Sequence, residues 1–185
     1  MSKLAKDFCF NDANLQKAKN IIIRYPEGRS QSALIPLLDI AQRQVGWWLT
    51  KESVEYVANF LNIPPIRVYE VATFYTMFNL HPIGKYHVQI CGTTPCWLRG
   101  SDEIVKACEN KLRIKCGETT ADKKFTLVEV ECLGACVNAP MVQINDNYFE
   151  DLTPEIISDI LGKMQEEQPV KIGSQVGRNG SEPKN

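Results

Sequence analysis

The chain has 185 residues, 44% hydrophobic and 23% charged, with a formal net charge of -1. That balance fits a globular protein with a packed core, built as one ordinary domain or two small units. Lys and Arg cluster no further than pairs such as Lys123-Lys124, which excludes the phosphate-tracking surface of a nucleic-acid binder. No apolar run approaches the roughly 20 residues that span a bilayer. Met1 to Phe10 lacks a signal-peptide core, so a cytosolic protein without direct membrane insertion is expected.

In chain order, residues 1–80 read as a helical segment. Asn11 or Asp12 can cap a helix carrying Leu15, Ala18, Ile21 and Ile22, ended by Pro26 and Gly28. A second helix runs from about Ser32 through Leu34, Leu37, Leu38 and Ala41 to Gly46. Pro36 is tolerable there only near the first turn. Thr50 offers its hydroxyl to the start of a third helix carrying Val54, Val57, Ala58 and Leu61. Pro64-Pro65 opens a fourth with Val68, Val71, Ala72 and Tyr75. These stripes read as core.

His81-Pro82-Ile83-Gly84 breaks the helical pattern, and residues 81–166 alternate strand and helix. Tyr86 to Ile90 reads as a strand, Cys91 to Gly100 as a loop, and a helix from about Ser101 carries Ile104, Val105, Cys108 and Leu112. Phe125 to Glu131 is strand-like and leads into the loop Cys132 to Pro140. Met141 to Ile144 and Tyr148-Phe149 flank the turn Asn145-Asp146-Asn147 as a hairpin. Thr153-Pro154-Glu155 starts the last helix, with Ile156, Ile157, Ile160, Leu161 and Met164. The order β-α-β-β-α suits a small sheet covered by two helices, as in thioredoxin, and makes the fold α+β. Residues 167–185 are rich in Pro, Gly, Ser, Asn and Gln and form a tail that cannot fold by itself.

Seven cysteines in a chain with no secretion signal point to metal, catalysis or burial rather than disulfides. Cys91-Gly92-Thr93-Thr94-Pro95-Cys96 and Cys132-Leu133-Gly134-Ala135-Cys136 each follow a strand. Two loops leaving neighbouring strands at one end bring four sulfurs together, two thiolates per iron, as a [2Fe-2S] cluster wants. Gly92 and Gly134 let the backbone curl and aim N–H groups at the sulfurs. A structural zinc site also takes four thiolates but favours Cys-x2-Cys pairs, and four merely buried cysteines would not fall in paired, glycine-containing loops. A dithiol redox site would need Cys-x-x-Cys, and a Rieske centre two histidines. Only His81 and His87 exist, neither after a loop cysteine, and both read as structural. Cys9, Cys108 and Cys116 read as non-ligands, Cys108 as a small hydrophobe on a helix face. The chain has no Gly-x-Gly-x-x-Gly, no phosphate loop and no nucleophile–base pair, so no catalytic residue is assigned.

At Cys91-x4-Cys96, Cys132-Leu-Gly-Ala-Cys136, Val71-Ala-Thr-Phe-Tyr75 and Ala139-Pro140, the chain resembles the 24 kDa-type subunits of NADH:quinone oxidoreductase, respiratory complex I. The resemblance implies an N-terminal helical bundle before a thioredoxin-like [2Fe-2S] ferredoxin domain, with Cys91, Cys96, Cys132 and Cys136 as ligands. It implies docking on a 51 kDa-type flavoprotein subunit that binds NADH and FMN, among other peripheral-arm subunits. Hydride would pass from NADH to FMN on that partner, and a single electron would then reach this cluster at a low potential, about -400 mV for plant-type all-thiolate sites. Mitochondrial relatives carry a transit peptide, so this chain is expected on the cytoplasmic side of a bacterial inner membrane, or in the mitochondrial matrix if a presequence is removed. The same module in the diaphorase of an NAD-linked hydrogenase or formate dehydrogenase, a free ferredoxin, and a zinc-binding structural module are the alternatives.

Overall fold

The structure, a computed structural model, describes residues 8–181. The readings of residues 1–7, where most of the signal-peptide argument falls, and of 182–185 lie outside them. The chain divides after Pro82 into two units.

In the first unit Asn11 caps helix α1 (Asp12–Ile22), accepting from the Asn14 N–H at 2.9 Å. Ala18 is its fully buried position, while Leu15, Ile21 and Ile22 pack half-buried against the same core. A 3-10 turn, Ser30–Ala33, precedes α2 (Leu34–Val45). The α-helix therefore starts two residues later than the sequence pattern implies, and Pro36 falls at its third position, where a missing N–H costs no intrahelical bond. Gly46, at φ 113°, closes it. Thr50 caps α3 (Lys51–Leu61) by accepting from the Ser53 N–H at 3.1 Å, and Pro65 opens α4 (Pro65–Phe74). Leu37, Leu38, Val54, Val57, Leu61 and Val68 form the shared core. The buried Gln42 fastens the segment after α4: it donates to the Met77 carbonyl and accepts from the Asn79 N–H.

The second unit is a five-stranded sheet in the order β2-β1-β3-β4-β5. Strand β1 (Tyr86–Cys91) pairs in parallel with β2 (Phe125–Val130) and antiparallel with β3 (Val142–Ile144). Strand β4 (Asn147–Glu150) completes the hairpin with β3. Two helices were expected here, and a third occurs: α5 (Thr94–Leu98) lies inside the first cysteine loop, before α6 (Ser101–Leu112). Helix α7 (Pro154–Gln165) starts on the Thr153 hydroxyl, which accepts from the Ile156 N–H. Ile104, Cys108 and Leu112 of α6 and Ile157, Ile160 and Leu161 of α7 share one core with Val88, Ile90, Phe125, Leu127, Val142 and Phe149 of the sheet. Alternation along each strand thus turns one sheet face toward both helices.

The segment after Gln165 attaches to the sheet. Strand β5 (Gly173–Ser174) pairs in parallel with Phe149 and Glu150, satisfying the open edge of β4. Among the described residues, no helix is long and apolar enough to cross a membrane.

Candidate metal centre

The parallel register of β1 and β2 puts Cys91 opposite Val130, the last residues of the two strands. Both cysteine loops therefore leave the sheet at one end. After Cys91 the chain passes Gly92 and Thr93 and turns into α5, with Pro95 near its start and Cys96 inside it. After Val130 come Cys132 and Gly134, then the 3-10 turn Cys136–Asn138. The Ala139-Pro140 peptide that follows is cis.

The two glycines serve different purposes. Gly134 adopts φ 83°, a conformation that side chains disfavour. At Gly92 the constraint is approach rather than dihedral: a Cβ there would run into the carboxylate of Glu129 as placed and lie 2.9 Å from its Cδ.

Cys132 Sγ and Cys136 Sγ share a hydrogen bond at 3.4 Å, and the Gly134 N–H donates to Cys132 Sγ at 3.4 Å. Cys91 Sγ and the Thr93 hydroxyl share one at 3.3 Å. Cys91 and Cys96 are buried with Ala135, Ala139 and Met141, whereas Cys132 and Cys136 are exposed. The Gly134 N–H, helped by the Cys136 thiol and Thr93, holds the Cys132 thiol below its usual range. Cys136 is pushed the other way by its bond with Cys132. Burial, reinforced by a bond with Cys91, pushes the Cys96 thiol up to about 12. Cys91 also bears on the titration of Cys96, Cys132 and Cys136. Among the described residues no three His, Cys, Asp or Glu side chains are grouped as a site for a metal ion; the thiols come in pairs. This donor set, with thiols from two loops and a backbone N–H aimed at one sulfur, fits an iron–sulfur cluster, which is held as thiolates.

The other candidates lie elsewhere. Cys108 is fully buried in the α6 core, and burial pushes its thiol up to about 12. Cys116 is half-buried and raised for the same reason, and Cys9 is exposed in the first unit. His87 lies on β1, where burial pulls it down to about 4, and His81 is exposed near the end of the first unit. Sequence reasoning did not single out Thr93, Tyr148 or Asn138. The Tyr148 hydroxyl donates to the Leu133 carbonyl at 2.7 Å, and Asn138 bonds Glu150. A hydroxyl inside the Cys91 loop was a usable signal for Thr93; the other two contacts span 15 and 12 residues and leave no local trace.

The fold and the paired thiols define a thioredoxin-like ferredoxin. The profile of the thioredoxin-like [2Fe-2S] ferredoxin family matches residues 18–165, and the chain belongs to that family. It is 60% identical over 165 residues to a subunit of the NADH-quinone oxidoreductase of Rickettsia conorii, covering 89% of this chain and 99% of that protein. It is 54% identical over 175 residues to "NADH dehydrogenase [ubiquinone] flavoprotein 2, mitochondrial" of Dictyostelium discoideum, covering 95% and 71%. A crystal structure of an NAD+-reducing [NiFe]-hydrogenase superposes with a TM-score of 0.64 at 20% identity, over 74% of this chain and 23% of that one. That likeness is one of fold. The family's cofactor is a [2Fe-2S] cluster.

Proposed function

We propose that Cys91, Cys96, Cys132 and Cys136 hold one [2Fe-2S] cluster, and that the chain is the subunit of an NADH:quinone oxidoreductase that exchanges single electrons with the FMN of a flavoprotein partner. The observation that carries this reading is the shared exit of the two cysteine pairs from the adjacent parallel ends of β1 and β2. The match over 99% of a protein named for the same oxidoreductase supports it.

The cluster supplies one-electron chemistry. The chain's own residues hold and tune it: Gly134 directs its N–H at the Cys132 sulfur, favouring the thiolate that iron requires. Thr93 bonds the Cys91 sulfur, and such bonds to cluster sulfurs raise the potential by offsetting negative charge. The burial of Cys91 and Cys96 keeps water from that side, while the exposed Cys132 and Cys136 leave the other side open to a partner. The resemblance to NADH:quinone oxidoreductase subunits assigns NADH and FMN to the partner, a flavoprotein of 51 kDa type; this chain carries no recognisable nucleotide motif. The complex would stand at the cytoplasmic side of a bacterial inner membrane.

The test is anaerobic purification of the chain, assay of iron, sulfide and zinc, and EPR after dithionite reduction. Two irons and two sulfides per chain, with an S = 1/2 signal lost in Cys132→Ala, are expected. Stoichiometric zinc and no signal, persisting after reconstitution with iron and sulfide, would overturn the reading. Co-purification with a hydrogenase rather than quinone-reductase subunits would replace the complex but keep the cluster.

A further inference from the structure

The second cysteine loop and the C-terminal segment meet at a buried carboxylate. Glu150, the last residue of β4, is 0% exposed. A buried carboxylate is tolerated only when donors surround it, and Glu150 takes one from each side. Its Oε2 accepts from Asn138 Nδ2, and its Oε1 accepts the Ser181 N–H at 2.8 Å. Asn138 Nδ2 also donates to the Asn179 carbonyl at 2.7 Å, so the segment touches both members of the pair. Asn138 is the last residue of the 3-10 turn that begins at Cys136, and its carbonyl accepts the Asp151 N–H at 2.8 Å.

A second tie holds the segment in place. The Asp151 carboxylate, 6% exposed, accepts from the Ser174 hydroxyl and is paired with Arg178. Arg178 also donates its backbone N–H to the Ser174 hydroxyl, and β5 lies along Glu150. Two adjacent acidic residues at the end of one strand therefore fix the tail, and one of them fixes the turn that carries Cys136.

We infer that residues 173–181 form a clasp that positions Cys136, with Asn138 and Glu150 as the positioning residues through which it acts. The inference rests on the assignment of Cys136 as a cluster ligand. When the clasp opens, Glu150 loses the Ser181 donor and Asn138 loses the Asn179 acceptor. Water then reaches the buried pair, and the turn behind Cys136 is left with fewer restraints.

Two measurements on the full chain test this, using Arg178→Ala, the conservative Arg178→Lys, and a chain ending at Gly177. The first is hydrogen exchange of the cluster-free protein. Amides of residues 136–139 should exchange about tenfold faster in Arg178→Ala, the size of one lost charge-assisted hydrogen bond, while α1 to α4 stay unchanged. The second uses the cluster-loaded chain: iron should pass to a chelator about tenfold faster, the EPR spectrum should change, and Arg178→Lys should restore much of both. A merely structural tail would lower overall stability without these local signatures. Unchanged exchange at 136–139 together with unchanged iron release overturns the clasp. A parent chain with no EPR signal overturns the ligand assignment instead, and exchange then decides whether the clasp exists. If the shortened chain does not fold, the point variants decide alone.

Discussion

Cys91 stands opposite Val130 in the parallel ladder of β1 and β2, each the last residue of its strand. Strands so paired run about 4.8 Å apart, so Cys132, two residues past Val130, starts close to the Cys91 loop. The distance between the two halves of the centre is thus set by backbone hydrogen bonding across a sheet. Flexible side chains need span only what remains. The sheet itself thus holds the starts of the two loops side by side.

Gly84 and Gly92, where an added Cβ would come within 3.0 Å of another atom, should respond differently to alanine. At Gly84 a Cβ would lie 2.8 Å from the backbone N and C of Phe125, which cannot move without breaking the start of β2. Gly84→Ala should cost roughly 2 kcal/mol by overpacking. At Gly92 the clash is with the side chain of Glu129, which can swing into solvent; Gly92→Ala should cost less, and adding Glu129→Ala should remove most of that cost. Denaturant titration of the four proteins, followed by a probe in the second unit, checks the order. Equal losses at both glycines would show that the Glu129 side chain is fixed.

Local chemistry was legible where sequence neighbours carry it. The caps at Asn11, Thr50 and Thr153, the proline at the start of α4, and the paired cysteines all announce themselves within a few residues. What stayed hidden depends on contacts far along the chain. Helix α5 is only five residues long and carries Cys96 and Pro95, with too little periodicity to detect. Strand β5 is two residues that pair with the edge of β4, a contact more than twenty residues back in the chain. The pairing of Asn138 with Glu150 joins a loop to a strand twelve residues on. The curl at Gly134 was readable from glycine's freedom, whereas Gly92 owes its identity to a side chain on the neighbouring strand.

Cys108 should prove dispensable for the centre. It is fully buried with Ile104 and Leu112 and acts as a small apolar residue. Cys108→Ala should leave iron per chain unchanged. Cys108→Ser, which buries a hydroxyl among apolar neighbours, should destabilise by about 1–3 kcal/mol and still bind iron. Loss of iron in the alanine variant would make Cys108 part of the site.

His87 should impose a pH dependence on stability. Burial pulls it down to about 4 from 6.5, so the folded chain resists a proton that the unfolded chain accepts. Below pH 6.5 the unfolded state binds more protons, and stability falls as pH falls toward 4; above 6.5 the contribution is constant. The full loss over that shift is on the order of 3 kcal/mol. Denaturation of the parent chain and His87→Gln at about pH 7.5, 5.5 and 4.5 measures it. The parent should lose stability relative to the variant across that window, and a constant difference would mean that the imidazole is solvated.

The thiols of the cluster-free chain should differ in reactivity in an order set by their surroundings. The thiolate is the nucleophile, so a thiol held low reacts first. Cys132 combines exposure with a depressed thiol, owed mainly to the Gly134 N–H. Cys96 and Cys108 are buried and pushed up to about 12. Brief alkylation near neutral pH followed by peptide mass spectrometry should therefore label Cys132 well before Cys96 and Cys108. Gly134→Ala should slow Cys132, because φ 83° disfavours a side chain and the N–H turns away from the sulfur. Loading with iron and sulfide should protect Cys91, Cys96, Cys132 and Cys136 together while Cys9, exposed in the other unit, stays reactive. Protection of Cys132 and Cys136 alone would mean that only the second loop holds metal, because a cluster bridging both strands cannot form without the first.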